Sequence, residues 1–356
     1  MVGLDNISAD PAGVDRAAVT QWLEEAIALV APLRFTRIGF GQSNLTYLVQ
    51  DAAGRRVVLR RPPLGELARG AHDMAREERI LSALAHEAVP APRPLAMATD
   101  PAIAGAPVYV MEYIDGIVLH TEASVQSLRP RGRERVGTAA MESLATLHAV
   151  DVDTSGLGAL GRRDEYAERQ LRGWSRQWDA TKTRDLPIID KLAGELGASI
   201  PPQREVSLVH GDYNLANLIV GPDGEVRAIL DWELSTLGDP VADLGTILCY
   251  WPDHLDEAIP EREPLPLLPG FCDRAGLIEA YTRMAPGRDL SGTQFWLALA
   301  TWKLAIIFEG ITRRRLEHPG NSRTDPETLR RSTEHLAELA ATLVRRDPRH
   351  SRDTHA

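Results

Sequence analysis

The sequence predicts an α+β protein in two parts, a small antiparallel sheet with helices followed by a larger, mainly helical region. Three observations carry that expectation. Short apolar runs separated by turn signals fill the first third. Helical spacing takes over beyond Asp115-Gly116. Two brief apolar runs then interrupt the helices and flank a polar loop that carries a carboxylate. At 356 residues the chain is long enough to bury a core in each part.

Taken in order, Val19, Trp22, Leu23, Ala26 and Val30 recur at helical spacing behind Asp15, a capping residue, and the helix should end near Pro32. Residues 35–40, 45–49 and 56–60 read as strands, separated by Gly41-Gln42-Ser43-Asn44 and Asp51-Ala52-Ala53-Gly54. A helix over residues 71–84 follows Pro62-Pro63, the prolines Pro90, Pro92 and Pro94 mark a loop, and residues 108–114 read as a further strand. The second part offers helices over 134–148, 164–180 and 188–196. Short apolar runs follow at 207–210 and 218–220, then 226–230 beyond the turn Pro222-Asp223-Gly224. Helices resume after Pro240, residues 251–269 read as a surface insertion rich in proline and acids, and the chain from Arg345 reads as a polar, frayed end. No internal repeat or low-complexity tract is visible.

Composition excludes several classes. With 44% hydrophobic and 25% charged residues the chain is an ordinary globular protein, not a disordered one. A net charge of -10 argues against a nucleic-acid or anionic-membrane partner, which wants clustered positive charge. Cys249 and Cys272 lack metal-ligand spacing and read as a reduced pair, although one disulfide stays open. Met1 to Asp10 carries acids rather than a basic leader, and the apolar stretch 297–308 is short for a bilayer span and contains Lys303. The expectation is a cytoplasmic protein; its oligomeric state is not legible.

Chemistry concentrates in Val209-His210-Gly211-Asp212-Tyr213-Asn214-Leu215-Ala216-Asn217 and Ile229-Leu230-Asp231-Trp232-Glu233. A carboxylate after a short strand and an amide oxygen five residues on can converge across one tight loop. A second carboxylate, ending the strand of the next hairpin, would face them. Such a trio supplies one oxygen to orient a hydroxyl and two ligands for a hard divalent cation. Phosphoryl transfer requires that set. An Asp followed five residues later by Asn is, alone, commonly just a loop; the linkage to Asp231 is what makes the pattern specific.

These segments resemble the catalytic and metal-binding loops of the aminoglycoside phosphotransferase family, and within it the branch that includes kinase-like domains fused to some acyl-CoA dehydrogenases. The resemblance runs from the helix at Val19 to the helix at Phe308. It implies a bilobal protein-kinase-like fold with a small antiparallel-sheet N-lobe (residues 1–114, nucleotide-binding), a mainly helical C-lobe (115–350, with the catalytic loop and substrate site), and a tail over 351–356. It implies ATP and Mg2+ as cofactors and a small-molecule hydroxyl as substrate. Asp212 matches the catalytic base, and Asn217 and Asp231 match the metal ligands. His210 matches the motif's first residue, more a packing residue than a proton carrier.

The same resemblance assigns the first part. Ser43 and Asn44 lie in a loop folded over the ATP phosphates, and Glu77 matches a helical glutamate, with Leu81 and Leu84 at core-facing spacing. Backbone groups of Glu112 and Ile114 would bind the adenine edge. One departure matters: the third strand ends Val57-Val58-Leu59-Arg60-Arg61, and Arg60 stands where the wider family has a phosphate-gripping lysine. Arginine keeps the charge but is not a neutral replacement. Asp243 matches a position that braces the catalytic loop, and Asp239 reads as a cap. Arg313-Arg314-Arg315, beyond Glu309-Gly310-Ile311, reads as a solvated helix face or, alternatively, a site for an anionic group. A protein kinase is disfavoured, because no long activation segment follows Asp231. The family's antibiotic phosphorylation, a hydroxyacyl-CoA or hydroxy acid acceptor, and a silent nucleotide-binding protein all remain open.

Overall fold

The computed structural model describes residues 11–39, 44–64, 73–317, 325–347 and 349. The chain divides into two compact units: one takes the chain up to Asp115 together with Arg227–Glu233, the other Gly116–Val226 and the chain from Leu234 onward.

In the first unit, helix α1 (Arg16–Ile27) starts where Asp15 Oδ1 accepts from the N–H groups of Ala17 and Ala18, at 3.0 and 3.1 Å. It ends earlier than the spacing suggests. Ala28 takes a left-handed cap at φ 54°, so Val30 falls outside the helix and is exposed. Strands β1 (Arg34–Ile38), β2 (Leu45–Gln50), β3 (Arg56–Arg61), β4 (Pro94–Ala98) and β5 (Val108–Glu112) form one antiparallel sheet in the order β1-β2-β3-β5-β4. β4 is a strand where the prolines suggested only loop: Pro94 is its first residue, on the sheet edge, where a missing N–H is tolerated.

Alternation along these strands sends Tyr47, Val49, Val57, Leu59, Val108 and Val110 into one core with Val14, Val19 and Leu23. Val58 and Arg60 therefore take the other face of β3, and Arg61 returns to the first, where it is buried beside Gly13. Helix α2 (Met74–Leu84), capped by Asp73, buries Met74, Glu77, Ile80, Leu81 and Leu84. A short helix, α3 (Pro101–Ala104), sits between β4 and β5.

The second unit is mainly helical. Strand β6 (Ile117–Val118) is followed by α4 (Glu122–Gln126), α5 (Pro130–His148), α6 (Tyr166–Thr181) and α7 (Pro187–Ala198). Proline at the first turn starts α5 and α7, where its absent N–H would be unpaired anyway; α5 thus begins earlier than its apolar spacing suggests. Strand β7 (Ser207–Val209) leads to β8 (Leu218–Val220), which pairs with β6, then to β9 (Val226–Ile229) and β10 (Thr236–Gly238), which pairs with β7. Helices α8 (Val241–Cys249), α9 (Arg274–Met284), α10 (Thr293–Glu317) and α11 (Pro326–Arg345) complete the described chain.

The apolar stretch 297–308 is the centre of α10, a 25-residue helix long and apolar enough to cross a membrane by length and composition. It is instead the core of the unit: 78% of its most apolar window is buried. Gly245 lets α8 approach α10, since a Cβ there would lie 2.5 Å from the Trp296 backbone. Both cysteines are free thiols.

Candidate active site

In the first unit the strand-borne Arg60 meets the helix-borne Glu77 because β3 alternation aims Arg60 at the α2 face. Its Nε lies 3.1 Å from Glu77 Oε2, and its Nη2 donates to Asp231 Oδ1. Arg60 is 12% exposed and Glu77 2%, so this pair is shielded from water. Burial alone would lower the Arg60 pKa, but Glu77, Tyr109 and Asp231 outweigh it and raise it. Burial, then the neighbouring Asp231 and Glu233, push the Glu77 carboxyl up to about 7 against the pull of Arg60. Two carboxylates, Glu77 and Asp231, thus share one guanidinium.

Asp231 lies just past β9 at φ 67°, a left-handed conformation that Asp tolerates better than most residues. Its turn is pinned by the buried Trp232, whose Nε1 donates to the Ile229 carbonyl at 3.0 Å. Asn44 is buried and its Nδ2 donates to Glu233 Oε2 at 3.1 Å, so that donor is already engaged. Ser43 lies outside the described residues. Glu112 ends β5 with its carboxylate 3.1 Å from Arg93 Nε, and Ile114 follows, half buried.

In the second unit the loop after β7 is built around Asp212. Asn214 Nδ2 donates to Asp212 Oδ1 at 3.1 Å, and Asn217 Nδ2 donates to Asp212 Oδ2 at 2.9 Å and to its carbonyl at 2.9 Å. Gly211 makes the turn at φ 87°, where a side chain would press on the Leu234 carbonyl at 2.8 Å. The loop is held from beneath by Asp243, which is wholly buried and accepts from the N–H groups of His210 and Gly211 at 2.6 and 2.8 Å. Asp243 also contacts His148 Nε2 at 3.2 Å. Burial keeps His148 neutral, so Nε2 donates to Asp243 while Nδ1 accepts from the Tyr281 hydroxyl at 2.6 Å. Those bonds hold the Asp243 carboxyl below its usual value despite burial.

Burial raises the Asp212 pKa, against the opposing influence of His210, Lys303, Arg262 and the Asn217 hydrogen bond. A carboxylate with a raised pKa accepts a proton more readily. His210 is wholly buried, and its Nδ1 accepts from the Asp212 N–H at 3.3 Å, a supporting position rather than an open one. Asp239 lies one residue before the α8 N-cap, Pro240, and its Oδ1 accepts from the Val241 N–H at 2.9 Å.

Two cations that act electrostatically on Asp212, Lys303 and Arg262, carried no functional signal in the sequence. Lys303 on α10 lies 5.1 Å from the Trp174 ring centre, and Arg262 in the 251–269 segment lies 4.7 Å from that of Tyr250. Lys303 was legible only as a charge inside an apolar run. The arginine run nearby has a structural setting: Arg313 ion-pairs with Glu317 at 2.8 Å and donates to the Ala180 carbonyl. Glu309 is wholly buried and accepts from the Thr183 N–H at 3.0 Å and hydroxyl at 2.5 Å.

Each unit, taken by itself, offers an oxygen donor of the kind a hard cation takes. Among the described residues no three His, Cys, Asp or Glu side chains cluster as a metal site. Asn217 engages Asp212 through its nitrogen, leaving Oδ1 as an oxygen donor, and Asp231 gives Oδ1 to Arg60, leaving Oδ2.

With these positions in view, the comparison with known proteins is decisive. A profile of the phosphotransferase enzyme family, APH, matches residues 34–286. The chain belongs to this family. Acyl-CoA dehydrogenase family member 10 of Mus musculus is 37% identical over 323 residues, 87% of this chain and 29% of the relative. Family member 11 of Homo sapiens is 30% identical over 330 residues, 89% of this chain and 40% of the relative. The chain thus spans well under half the length of these curated relatives. Among solved structures, a putative aminoglycoside phosphotransferase of Ralstonia eutropha superposes with a TM-score of 0.74 at 30% identity, covering 92% of this chain and 99% of that one. Amicoumacin kinase, in complex with AMP-PNP and Ca2+, has a TM-score of 0.61 at 15% identity and shares the fold. Phosphotransferase membership and the kinase-like fold agree with the expectation from the Asp212 and Asp231 motifs.

Proposed function

We propose that this phosphotransferase is an ATP-dependent kinase of a small-molecule hydroxyl, with Asp212 as catalytic base. The observation that carries the reading is the Asp212 carboxylate itself, half-buried, raised in pKa and fixed by Asn214 and Asn217. In the reaction the acceptor oxygen attacks the γ-phosphorus, the bond to the β,γ-bridging oxygen breaks, and ADP leaves. The hydroxyl proton passes to Asp212. Asn217 Oδ1 and Asp231 would hold Mg2+, which supplies charge neutralisation between phosphates when bound. Arg60 offers a forked cation to phosphate oxygens in place of the family lysine. Glu112 and Ile114 would present backbone groups to the adenine.

The relatives named acyl-CoA dehydrogenase family members support a hydroxy acid or hydroxyacyl-CoA as acceptor. The names of the structural neighbours support an antibiotic acceptor instead. A second reading, a nucleotide-binding protein without turnover, is favoured by one feature: Arg60 is engaged with Asp231, the proposed metal ligand. ATP consumption by purified protein against hydroxy acids, hydroxyacyl-CoAs, sugars and aminoglycosides tests these readings. Nucleotide binding with no turnover on any acceptor supports the silent protein.

A further inference from the structure

Beneath the Asp212 loop the hydrogen bonds continue past Asp243. Asp243 Oδ2 lies 3.2 Å from His148 Nε2, and His148 Nδ1 lies 2.6 Å from the Tyr281 hydroxyl. Arg288 Nη1 donates to that hydroxyl at 2.6 Å, its Nε to Glu205 Oε2 at 2.9 Å, and its Nη2 to the His148 carbonyl at 3.4 Å. The series joins the end of α5, helices α8 and α9, and the chain just before β7. It runs from a wholly buried carboxylate to the surface, where the Arg288 side chain is 13% exposed and that of Glu205 40%.

Arg288 gives these bonds a direction. A guanidinium donates and never accepts, so the Tyr281 oxygen accepts from Arg288 and its only proton is left for His148. Burial, helped by the Arg288 charge and opposed by Asp243, keeps the imidazole neutral. A neutral ring has one N–H and one lone pair. Nδ1 therefore takes the tyrosine proton, and Nε2 carries the ring hydrogen to Asp243. Among the described residues Asp243 has no Lys or Arg partner, so its charge rests on N–H donors: Nε2 of His148 and the backbone of His210 and Gly211. Without Arg288 the Tyr281 oxygen is free to accept, and a hydrogen on Nδ1 becomes favourable. The bond to Asp243 then loses the support of a donor behind it.

We infer that Arg288 and Tyr281 are positioning residues for the catalytic loop: Arg288, anchored by Glu205, makes the Tyr281 hydroxyl a donor to His148, and His148 so held keeps Asp243 in place under the His210 and Gly211 N–H groups. Neither residue touches the reacting groups; both act through Asp243. The inference rests on the phosphotransferase reading above for the role of Asp212, but the direction of the bonds does not depend on it.

Proton–nitrogen correlation NMR of the full chain, labelled at histidine, reads the hydrogen on each ring nitrogen of His148; His148→Asn identifies its signals by their loss. Hydrogen exchange of the His210 and Gly211 amides and ATP consumption are measured on the same proteins, with water, hydroxy acids, hydroxyacyl-CoAs, sugars and aminoglycosides as acceptors. The wild type should carry hydrogen on Nε2 alone. Arg288→Met should place hydrogen on Nδ1, speed exchange of both amides about tenfold, and lower kcat about tenfold with little change in the KM for ATP. Arg288→Lys, which also only donates, should keep Nδ1 bare and restore part of kcat. Tyr281→Phe keeps the ring edge against His148 at 5.9 Å and removes only the hydroxyl, so exchange and kcat should move as in Arg288→Met. Glu205→Gln, at the exposed end, should move the readouts the same way by about threefold, and it reports where the other variants fail to fold. Hydrogen on Nδ1 in the wild type, an unaltered His148 in Arg288→Met, or a lysine as damaging as methionine would each overturn the inference. So would an Nδ1 that responds while kcat does not. No turnover on any acceptor, with His148 and the amides responding as stated, would sink the kinase reading and leave the direction of the bonds standing; turnover by a wild type with hydrogen on Nδ1 would do the opposite.

Discussion

Removing the Arg60 side chain is the sharpest test of the first unit. Arg60 is 12% exposed and faces Glu77, which is 2% exposed, as well as Asp231. Arg60→Ala therefore leaves the buried Glu77 carboxyl without its counter-charge, a change that destabilises by about 3 kcal/mol or more. Against a typical domain stability of roughly 5–15 kcal/mol the loss is easily read in urea unfolding. Glu77→Gln added to Arg60→Ala should return a large part of it, because the uncompensated charge is then gone. The double-mutant cycle isolates that coupling. Arg60→Lys should fall between, since one ammonium cannot reproduce a fork that reaches Glu77 and Asp231 together. In ATP calorimetry Arg60→Ala should weaken binding by about 1.5 to 3 kcal/mol. Arg61→Ala, on the opposite face of β3, should affect stability through packing but ATP binding little. A cycle with no coupling between Arg60 and Glu77, or a larger loss of ATP affinity from Arg61→Ala than from Arg60→Ala, would refute the reasoning.

Four further outcomes follow. Asp212→Asn should abolish turnover while nucleotide affinity, measured by calorimetry, changes little; wild-type turnover would remove Asp212 from the chemistry. Asn217→Ala and Asp231→Ala should weaken ATP binding more with magnesium than without it, and equal losses would make both residues supports of the fold. Asp243→Ala strips the buried acceptor from two loop N–H groups and from His148, so thermal and urea unfolding should show a loss of about 3 kcal/mol or more. Because the fold raises the Glu77 carboxyl from 4.5 to about 7, Glu77 contributes stability that is full below about 4.5 and is lost as pH rises through about 7. Glu77→Gln should therefore gain on the wild type as pH increases across that window, and a constant difference would contradict the raised value.

Much of the fold was legible because the relevant signals are local. Strand alternation placed Val57, Leu59 and Arg61 opposite Val58 and Arg60, and Asp15 marked the start of α1. What failed had competing local causes. Val30 kept the helical period, but a left-handed Ala28 ended α1 first. Pro94 signalled loop, but an edge position forgives its missing N–H. The loop residues Asp212, Asn214 and Asn217 were visible as one motif because their hydrogen bonds close within six residues. Lys303 and Arg262 were not, because no spacing links a core helix and an insertion to the loop; only the tertiary fold brings their charges to act on Asp212. Asn44 was legible only as an amide suited to a phosphate; its hydrogen bond to Glu233, 189 residues away in the chain, had no signal in the sequence.

The arginine at position 60 changes what the first unit can do before any nucleotide arrives. A lysine presents one compact charge and can satisfy one carboxylate closely at a time. The guanidinium engages Glu77 through Nε and Asp231 through Nη2 at once, so strand β3, helix α2 and the turn after β9 are fixed by a single side chain. Asp231 sits in a left-handed conformation that needs such support, and it retains Oδ2 while Oδ1 is held. The arrangement orients a carboxylate in advance, which lowers the ordering needed for a cation to be bound there. It also sets a competing positive charge beside that same carboxylate, which weakens its hold on the cation. If orientation outweighs competition, Arg60→Lys should lower magnesium-dependent ATP affinity; if competition outweighs orientation, Arg60→Lys should raise it. The forked, shielded geometry of Arg60 favours the first outcome, and a rise in affinity on calorimetric titration would overturn that judgement.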